Sequence, residues 1–376
     1  MIKPALHDLR AGFVRHDRDL MVVGGAVRDW LLGEAPCDID LATDATPEEQ
    51  AAIYRAEKIR HFPTGLAHGT WTVKLADETV VEITSLHDGR YAWTRDWAVD
   101  LRRRDLTINA MALSFDGHLL DPFGGQADLT NRIVRFVGDA STRIREDHLR
   151  ILRYLRFHAK IAGDRPHAKA TLDTVRATKA GLANVARERI WREFAKIIAG
   201  PYGIKTLYQI VGLGIAPVID LPITKSIPSQ LSPNAEYQTT RDPVSLMAVY
   251  LGGKVAVKSQ AEAWRWSILE RQQGRFLTEV LEHDLTLDQA QALAARGTVK
   301  YWLIEGLRLH GKASDAETLA SWVVPVFPVL GVDLVERGLP AGPGIGERLQ
   351  ALQTLWIDSG YRLTRTQLLA QLGDTP

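Results

Sequence analysis

Cysteine is almost absent from this chain, because Cys37 is the single example among 376 residues. One cysteine excludes an intramolecular disulfide and a cysteine-rich zinc site, and it fits a reducing compartment. Charge of one sign is also lacking, since 46 Lys and Arg oppose 45 Asp and Glu. Any binding of nucleic acid must therefore come from local basic patches rather than from the net charge of +1.

Long hydrophobic runs are missing as well. The most apolar stretch, residues 322–335, is short and is interrupted by Pro325 and Pro328. This pattern predicts a segment of a folded core rather than a membrane span. Residues 1–19 mix charged and apolar residues and contain no apolar region typical of a signal peptide. We therefore expect a cytoplasmic protein.

The length and the order of local patterns predict more than one domain. In the first third, short apolar runs alternate with helix signals, and Thr46-Pro47-Glu48-Glu49 is a capping box with proline at the first helical position. Residues 69–84 alternate like a hairpin, and residues 133–136 predict a last short strand. Beyond Gly138, helical periodicity dominates to the end. The fold class is therefore α+β, with a mixed head and a helical remainder.

Two carboxylates, Asp38 and Asp40, follow closely on a glycine pair. In a strand, residues two apart project from the same side, where two hard oxygen ligands suit Mg²⁺. Gly24 and Gly25 allow a close approach of backbone to a phosphate, and Arg28 adds a cation. Each feature alone is more often a solvated strand edge or a plain turn. In combination they predict nucleotidyl transfer.

A second constellation is the run Arg102-Arg103-Arg104-Asp105, which precedes an apolar segment containing Asn109. One interpretation is a basic turn before a buried element. The functional interpretation is that Arg104 clamps a phosphate while Asp105 and Asn109 hydrogen-bond a ribose.

A third constellation lies in residues 145–157. On a helix, Asp147 and Arg150 would be neighbours at i and i+3, on a different face from the apolar stripe. A carboxylate beside a planar guanidinium can complement the Watson–Crick edge of a base, and Arg153 and Arg156 continue the basic side toward phosphates. The alternative is an amphipathic helix with solvated charges. The apolar stripe comprises Ile151, Leu152, Leu155 and Ala159.

These three patches, in this order, resemble the class II CCA-adding enzymes and bacterial poly(A) polymerases. The resemblance covers residues 20 to about 200, and residues 189–194 are similar to the family's last, weaker motif. It implies a polymerase-β-like nucleotidyltransferase head over residues 1–138. It further implies a helical neck over 139–205, which selects nucleotides and binds RNA, and a helical body and tail over 206–376, which binds tRNA.

The resemblance also implies roles for individual residues. Asp38 and Asp40 would be the catalytic carboxylates and the ligands of two Mg²⁺ ions, with Glu82 a candidate third carboxylate. The substrates would be CTP, ATP and the acceptor arm of tRNA. The nucleotide-binding residues would be Gly25, Arg28 and Arg104 around the triphosphate, Asp147 and Arg150 at the base, and Arg153 and Arg156 nearby.

One departure from the family is the stretch from residue 87 to residue 97, which is usually longer. A short loop here resembles enzymes that add only the two C residues. We expect addition of C, C and A, with A addition the weaker step. The alternatives are CC-only addition, poly(A) polymerase activity and an RNA-binding scaffold without catalysis. Incubation of the purified protein with tRNA lacking its 3′ end and with CTP, ATP or both would distinguish these four alternatives.

Overall fold

The structure, a computed structural model, describes residues 4–36, 38–89, 92–224 and 240–372. Cys37 lies outside these ranges, as do Arg90 and Tyr91 of the short loop. The chain divides into two units, residues 1–223 and residues 224–376. The boundaries expected at 138 and 205 both fall within the first unit, and the division into head, neck and body stays a prediction.

The first unit contains one seven-stranded mixed sheet, in the order β3-β4-β5-β2-β1-β6-β7. Strands β2 and β5 are parallel, and every other adjacent pair is antiparallel. The core residues of β1, β2 and β5 are almost fully buried, which places the sheet at the centre of this unit. The strands are β1 (Leu20–Val23), β2 (Asp40–Thr43), β3 (Arg60–Gly65), β4 (Thr70–Lys74), β5 (Val80–Ser85), β6 (Ala112–Leu113) and β7 (Leu119–Leu120).

The hairpin expected over residues 69–84 is present as β4 and β5. Strand β3 was missed because it is a largely exposed edge strand that contains a proline, so its apolar alternation is weak. The strand expected over residues 133–136 is wrong. Within it, Phe136 forms a single bridge with Leu106, and the pairing extends no further.

Ten helices complete the described part of the first unit. The predicted capping box is confirmed, since the Thr46 hydroxyl accepts from the Glu49 N–H and the Glu49 carboxylate accepts from the Thr46 N–H. The helices are α1 (Pro4–Arg15), α2 (Gly25–Leu31), α3 (Pro47–Ala56), α4 (Trp97–Arg102), α5 (Gly125–Thr130), α6 (Ala140–Glu146), α7 (Arg150–Phe157), α8 (Lys169–Thr178), α9 (Arg187–Ile198) and α10 (Gly203–Gly212).

The regular secondary structure in the described residues of the second unit is helical, in agreement with the predicted fold class. None of the helices in the described ranges is long and apolar enough to cross a membrane. Residues 322–335 were expected in the core, and the segment supplies Val329 and Leu334 to a buried cluster, while Val323 and Val326 are 83% and 87% exposed. Pro325 and Pro328 lie in its non-helical part, residues 322–330, and a helix begins at Gly331. The helices are α11 (Pro243–Leu251), α12 (Lys254–Ala263), α13 (Ile268–Glu282), α14 (Leu287–Ala295), α15 (Lys300–Leu309), α16 (Ala313–Ser321), α17 (Gly331–Glu336), α18 (Pro343–Asp358) and α19 (Arg365–Ala370).

Candidate active site

The glycine pair forms the turn between β1 and α2. Gly24 has φ of +70°, a conformation that glycine adopts without steric cost, and its N–H donates to the Met111 carbonyl at 3.1 Å. A Cβ added to Gly24 would lie 2.5 Å from Nη1 of Arg104. The guanidinium of Arg104 therefore occupies the space that a side chain would fill. The turn and the arginine, 80 positions apart in the sequence, form one surface.

The two aspartates lie at the start of β2. Asp40 is its first residue, while Asp38 precedes the strand in a bend, so the expected same-face placement within one strand is wrong. Both residues are exposed. Neighbouring atoms partly dehydrate the Asp40 carboxylate, which raises its pKa; the Arg104 charge opposes this shift and the Asp38 charge adds to it. The charges of Arg104 and Asp38 thus both act electrostatically on the Asp40 carboxylate.

A cleft of about 340 Å³ opens at this point, and its wall includes Asp40, Glu82 and Arg104. Glu82 lies directly across from Asp40 in the parallel pairing of β2 and β5. No three His, Cys, Asp or Glu side chains in the described ranges gather closely enough to hold a metal ion by themselves. Mg²⁺ commonly takes one or two carboxylates and completes its shell with water and substrate phosphates. An exposed aspartate pair beside a phosphate-sized cleft fits that mode of binding.

Asp100 of α4 is a further member of this cleft. It is 5% exposed, and its carboxylate lies 3.8 Å from Nη2 of Arg103 and 3.9 Å from Nη2 of Arg104. It also accepts the backbone N–H of His87 at 3.3 Å. Sequence reasoning missed Asp100 and Arg103, although the i, i+3, i+4 spacing of Asp100, Arg103 and Arg104 on a helix is the signal that would have found them.

Arg28 is buried and is not one of the residues that line the cleft. Its side chain is 9% exposed, and its Nη1 donates to Oδ1 of Asn109 at 2.6 Å. Nε and Nη2 donate to Asp29 at 3.0 and 2.8 Å, and the guanidinium lies 4.6 Å from the centre of the Phe157 ring. Most of its hydrogen-bonding capacity is therefore used within the protein.

Arg28 belongs to a closed ring of contacts. Asn109 donates to Asp105 at 3.1 Å, and Asp105 accepts from Nε of Arg153 at 2.6 Å. The Arg153 guanidinium lies 5.7 Å from the same Phe157 ring, which returns to Arg28. Burial would raise the pKa of Asp105, but Arg153 and the hydrogen bonds hold it below its usual range. This ring joins α2, the Asp105–Asn109 segment and α7.

Asp147 and Arg150 do not share one helix, as the sequence had predicted. Helix α6 ends at Glu146, Asp147 is extended with φ −156° and ψ 105°, and α7 begins at Arg150. Asp147 accepts from Arg189 at 2.7 Å. Arg150 donates to Glu146 at 2.7 Å and to the backbone carbonyl of Arg103 at 2.9 Å. The break arises because Asp147 caps the following turn, accepting the Leu149 N–H at 3.1 Å.

The remaining predicted residue, Arg156, binds the buried carboxylate of Glu193 through Nε. Its guanidinium also lies 4.1 Å from the centre of the Phe157 ring. Six of the nine predicted site residues therefore fall into two groups. Asp38, Asp40 and Arg104 line or border the open cleft. Arg28, Arg153 and Arg156 pack around Phe157 behind it.

Comparisons with known proteins bear on the family of the chain rather than on individual site residues. Residues 20–135 match the family described as the poly A polymerase head domain, and residues 168–225 match a probable RNA and SrmB-binding site of polymerase A. The mitochondrial CCA tRNA nucleotidyltransferase 1 of Mus musculus is 37% identical, over 98% of this chain and 90% of that protein. The Homo sapiens protein of the same name is 36% identical over the same shares.

Among solved structures, the CCA-adding enzyme of Bacillus stearothermophilus in complex with CTP matches with a TM-score of 0.74. The two chains are 26% identical, and the match covers 99% of this chain and 97% of the other. Sequence similarity and fold similarity thus extend over nearly the whole length. The chain belongs to the CCA tRNA nucleotidyltransferase family.

Proposed function

We propose that this protein adds C, C and A to the 3′ end of tRNA, without a nucleic-acid template, from CTP and ATP. The observation that carries the proposal is the open cleft lined by Asp40 and Arg104, with Arg104 packed against the Gly24 turn, in a chain of this family. The comparisons favour none of the alternatives, namely CC-only addition, poly(A) synthesis and a non-catalytic scaffold.

The family's nucleotidyltransferases generally use a divalent metal ion, and we propose two Mg²⁺ ions held by Asp38 and Asp40. When bound, one would lower the pKa of the attacking 3′-hydroxyl and the other would neutralise charge on the triphosphate. Glu82, another carboxylate of the cleft, stays a candidate third ligand.

The protein's own residues position the substrates. We propose that Arg104 and the Gly24-Gly25 turn bind the triphosphate, since both border the cleft at the aspartates. Arg28 is a positioning residue, because it is buried and holds Asn109. Asp147 and Arg150 would select the base. That role requires both to leave the contacts described above, with Arg189 and with Glu146.

Two ion pairs with buried carboxylates involve the remaining arginines. Arg153 and Arg156 hold Asp105 and Glu193, and we propose that they support the nucleotide site through these contacts. The cytoplasmic location stays a prediction, since the vertebrate relatives are named as mitochondrial proteins.

Asp40→Asn tests the proposed chemistry. It removes a charge but keeps the shape of the side chain, so transfer of both C and A should be abolished while tRNA binding is retained. The matched control is Asp116→Asn, which makes the same change in the exposed turn between β6 and β7. Activity is followed as incorporation of labelled CTP or ATP into tRNA. Wild-type rates in the Asp40 variant would refute the assignment.

A further inference from the structure

A buried carboxylate, that of Asp100, lies between the two arginines that follow α4. It is 3.8 Å from Nη2 of Arg103 and 3.9 Å from Nη2 of Arg104, and all three residues line the catalytic cleft. Removing a carboxylate from water is costly unless cations or hydrogen-bond donors take the place of the water. The two arginines therefore compensate the burial of Asp100, and Asp100 in turn restrains both of them.

The side chain of Arg104 is weakly held in the described part of the chain. Its Nε is buried and has no hydrogen-bond partner among the described residues, while its Nη1 packs against the turn at Gly24. A long side chain that is free to change rotamer loses more entropy when it binds a ligand, and its contact is correspondingly weaker. The ion pair with Asp100 reduces this freedom and keeps the guanidinium at the cleft.

The same carboxylate reaches the short loop of residues 87–97. Oδ1 of Asp100 accepts the backbone N–H of His87 at 3.3 Å. His87 forms a bridge with Trp93, and a Cβ added to Gly69 would lie 2.6 Å from the indole ring of this tryptophan. The loop is thus packed against β4 at one point and attached to α4 at another.

We propose that Asp100 is a positioning residue, which uses one carboxylate to hold Arg104 at the triphosphate and the short loop at the cleft. The inference rests on the proposed function, because the triphosphate contact of Arg104 is part of that function. Oδ1 faces His87 and Oδ2 faces Arg104, so a displacement of the start of the loop acts on the group that restrains the arginine. The position of the loop and the binding of nucleotide are thereby coupled.

A third metal ligand is the competing role for Asp100. The geometry disfavours that role, because two guanidinium groups and a backbone N–H already surround the carboxylate. A metal ion would have to displace these donors and approach two positive charges. Asp38 and Asp40 are exposed by contrast, and Glu82 lies directly across from Asp40 in the sheet. Glu82 is therefore the better candidate for a further ligand.

Asp100→Asn in the full chain tests the restraint on Arg104. The amide keeps the shape of the side chain and an oxygen for the His87 N–H, but it removes the negative charge. The KM for CTP and the KM for ATP should rise alike by about 3- to 10-fold, the effect of one partly buried ion pair. The kcat should be retained, because a contact that is equal in the ground state and the transition state affects KM alone.

A double variant shows whether the effect passes through Arg104. In an Arg104→Ala background, Asp100→Asn should leave both KM values as they are in Arg104→Ala alone, because the restrained group is already missing.

Asp100→Ala tests the contact with the loop. Alanine removes the acceptor of the His87 N–H as well as the charge, so the start of the loop is released. Single-turnover rates are measured for A addition to tRNA ending in CC and for C addition to tRNA ending in C. The ratio of the A rate to the C rate should rise about 3-fold or more over wild type, because a released loop rearranges more readily. In Asp100→Asn the ratio should equal that of wild type.

Asp96→Asn is the matched control. It makes the same chemical change at the start of the same helix, where Asp96 is exposed and accepts the Ala98 N–H at 2.8 Å. Asparagine caps a helix as well as aspartate does. This variant should therefore keep both KM values and the ratio of rates.

Four results would overturn the proposal. They are an unchanged or lowered KM in Asp100→Asn, a higher Mg²⁺ requirement of that variant with unchanged KM, an unchanged or lowered ratio of rates in Asp100→Ala, and a further rise in KM in the double variant. The double variant removes both charges of the pair, so its comparison with Arg104→Ala decides the matter even where Asp100→Asn alone does not fold. Failure of the proposed function has a different signature, which is a wild-type protein that incorporates neither CTP nor ATP into tRNA.

Discussion

Gly24→Ala is the substitution whose effect the structure defines most sharply. The added Cβ would lie 2.5 Å from Nη1 of Arg104, well inside the contact distance of carbon and nitrogen. Because this atom is the end of a flexible side chain, the guanidinium moves and the backbone stays. The alanine also takes a φ of +70°, which costs an L-residue about 1–2 kcal/mol.

Displacement of Arg104 and backbone strain at position 24 have different sizes and are measured by different assays. A hydrogen bond to a charged group contributes about 1.5–3 kcal/mol, so loss of the contact that we propose between Arg104 and the triphosphate should raise the KM for CTP and for ATP about 10- to 150-fold. Both nucleotides should be affected alike, because the triphosphate is blind to the base. The backbone strain should appear instead as a lower free energy of unfolding in urea.

Gly33→Ala is the matched control. Gly33 follows α2 with a φ of +76°, and an added Cβ would meet nothing within 4 Å. It should therefore lose similar stability and keep both KM values. Adding Arg104→Ala to Gly24→Ala should change KM little beyond Arg104→Ala alone, because both remove one contact. A Gly24 variant that loses stability as the control does, with unchanged KM, would refute the reasoning.

Two further predictions concern selection and the order of additions. Arg150→Ala should reduce discrimination of CTP and ATP from GTP and UTP by about 1–3 kcal/mol, measured as ratios of kcat/KM. A uniform loss across all four nucleotides would instead indicate a structural role of Arg150 at the junction of α6 and α7. In the short loop, the Asp88 N–H donates to the Ala92 carbonyl at 3.0 Å, and a Cβ on Gly69 would lie 2.6 Å from the Trp93 ring. Such packing restricts rearrangement, so single-turnover A addition to tRNA ending in CC should be slower than C addition to tRNA ending in C; equal rates would contradict this.

Local patterns predicted the elements that have strong local causes. The capping box at Thr46 specifies the start of α3 by itself, because both of its hydrogen bonds lie within four residues. The glycine pair likewise indicated a turn. Amphipathic periodicity placed the buried stripe of α7 correctly, since Ile151, Leu152 and Leu155 are fully buried. It did not show that the helix starts only at Arg150, because a capping aspartate and a helical aspartate look alike in sequence.

Contacts between distant segments could not be predicted. The sequence marked Arg28 and Arg153 as cations, but only the folded chain shows them packed around Phe157 with Asn109 and Asp105 between them. A charged residue in a motif predicts a ligand contact and a buried ion pair equally well. The distinction depends on burial, which arises from the whole fold.

The ring of Arg28, Asn109, Asp105, Arg153 and Phe157 has a consequence for synthesis and folding. Arg28 leaves the ribosome long before Arg153 and Phe157 are synthesised. A nascent chain that ended at residue 138 would contain Asp105 without its cation Arg153, and Arg28 with its partner Asp29 but without its aromatic cover. This ring can therefore close only after α7 has been synthesised, so that residues 1–138 on their own lack part of their final packing.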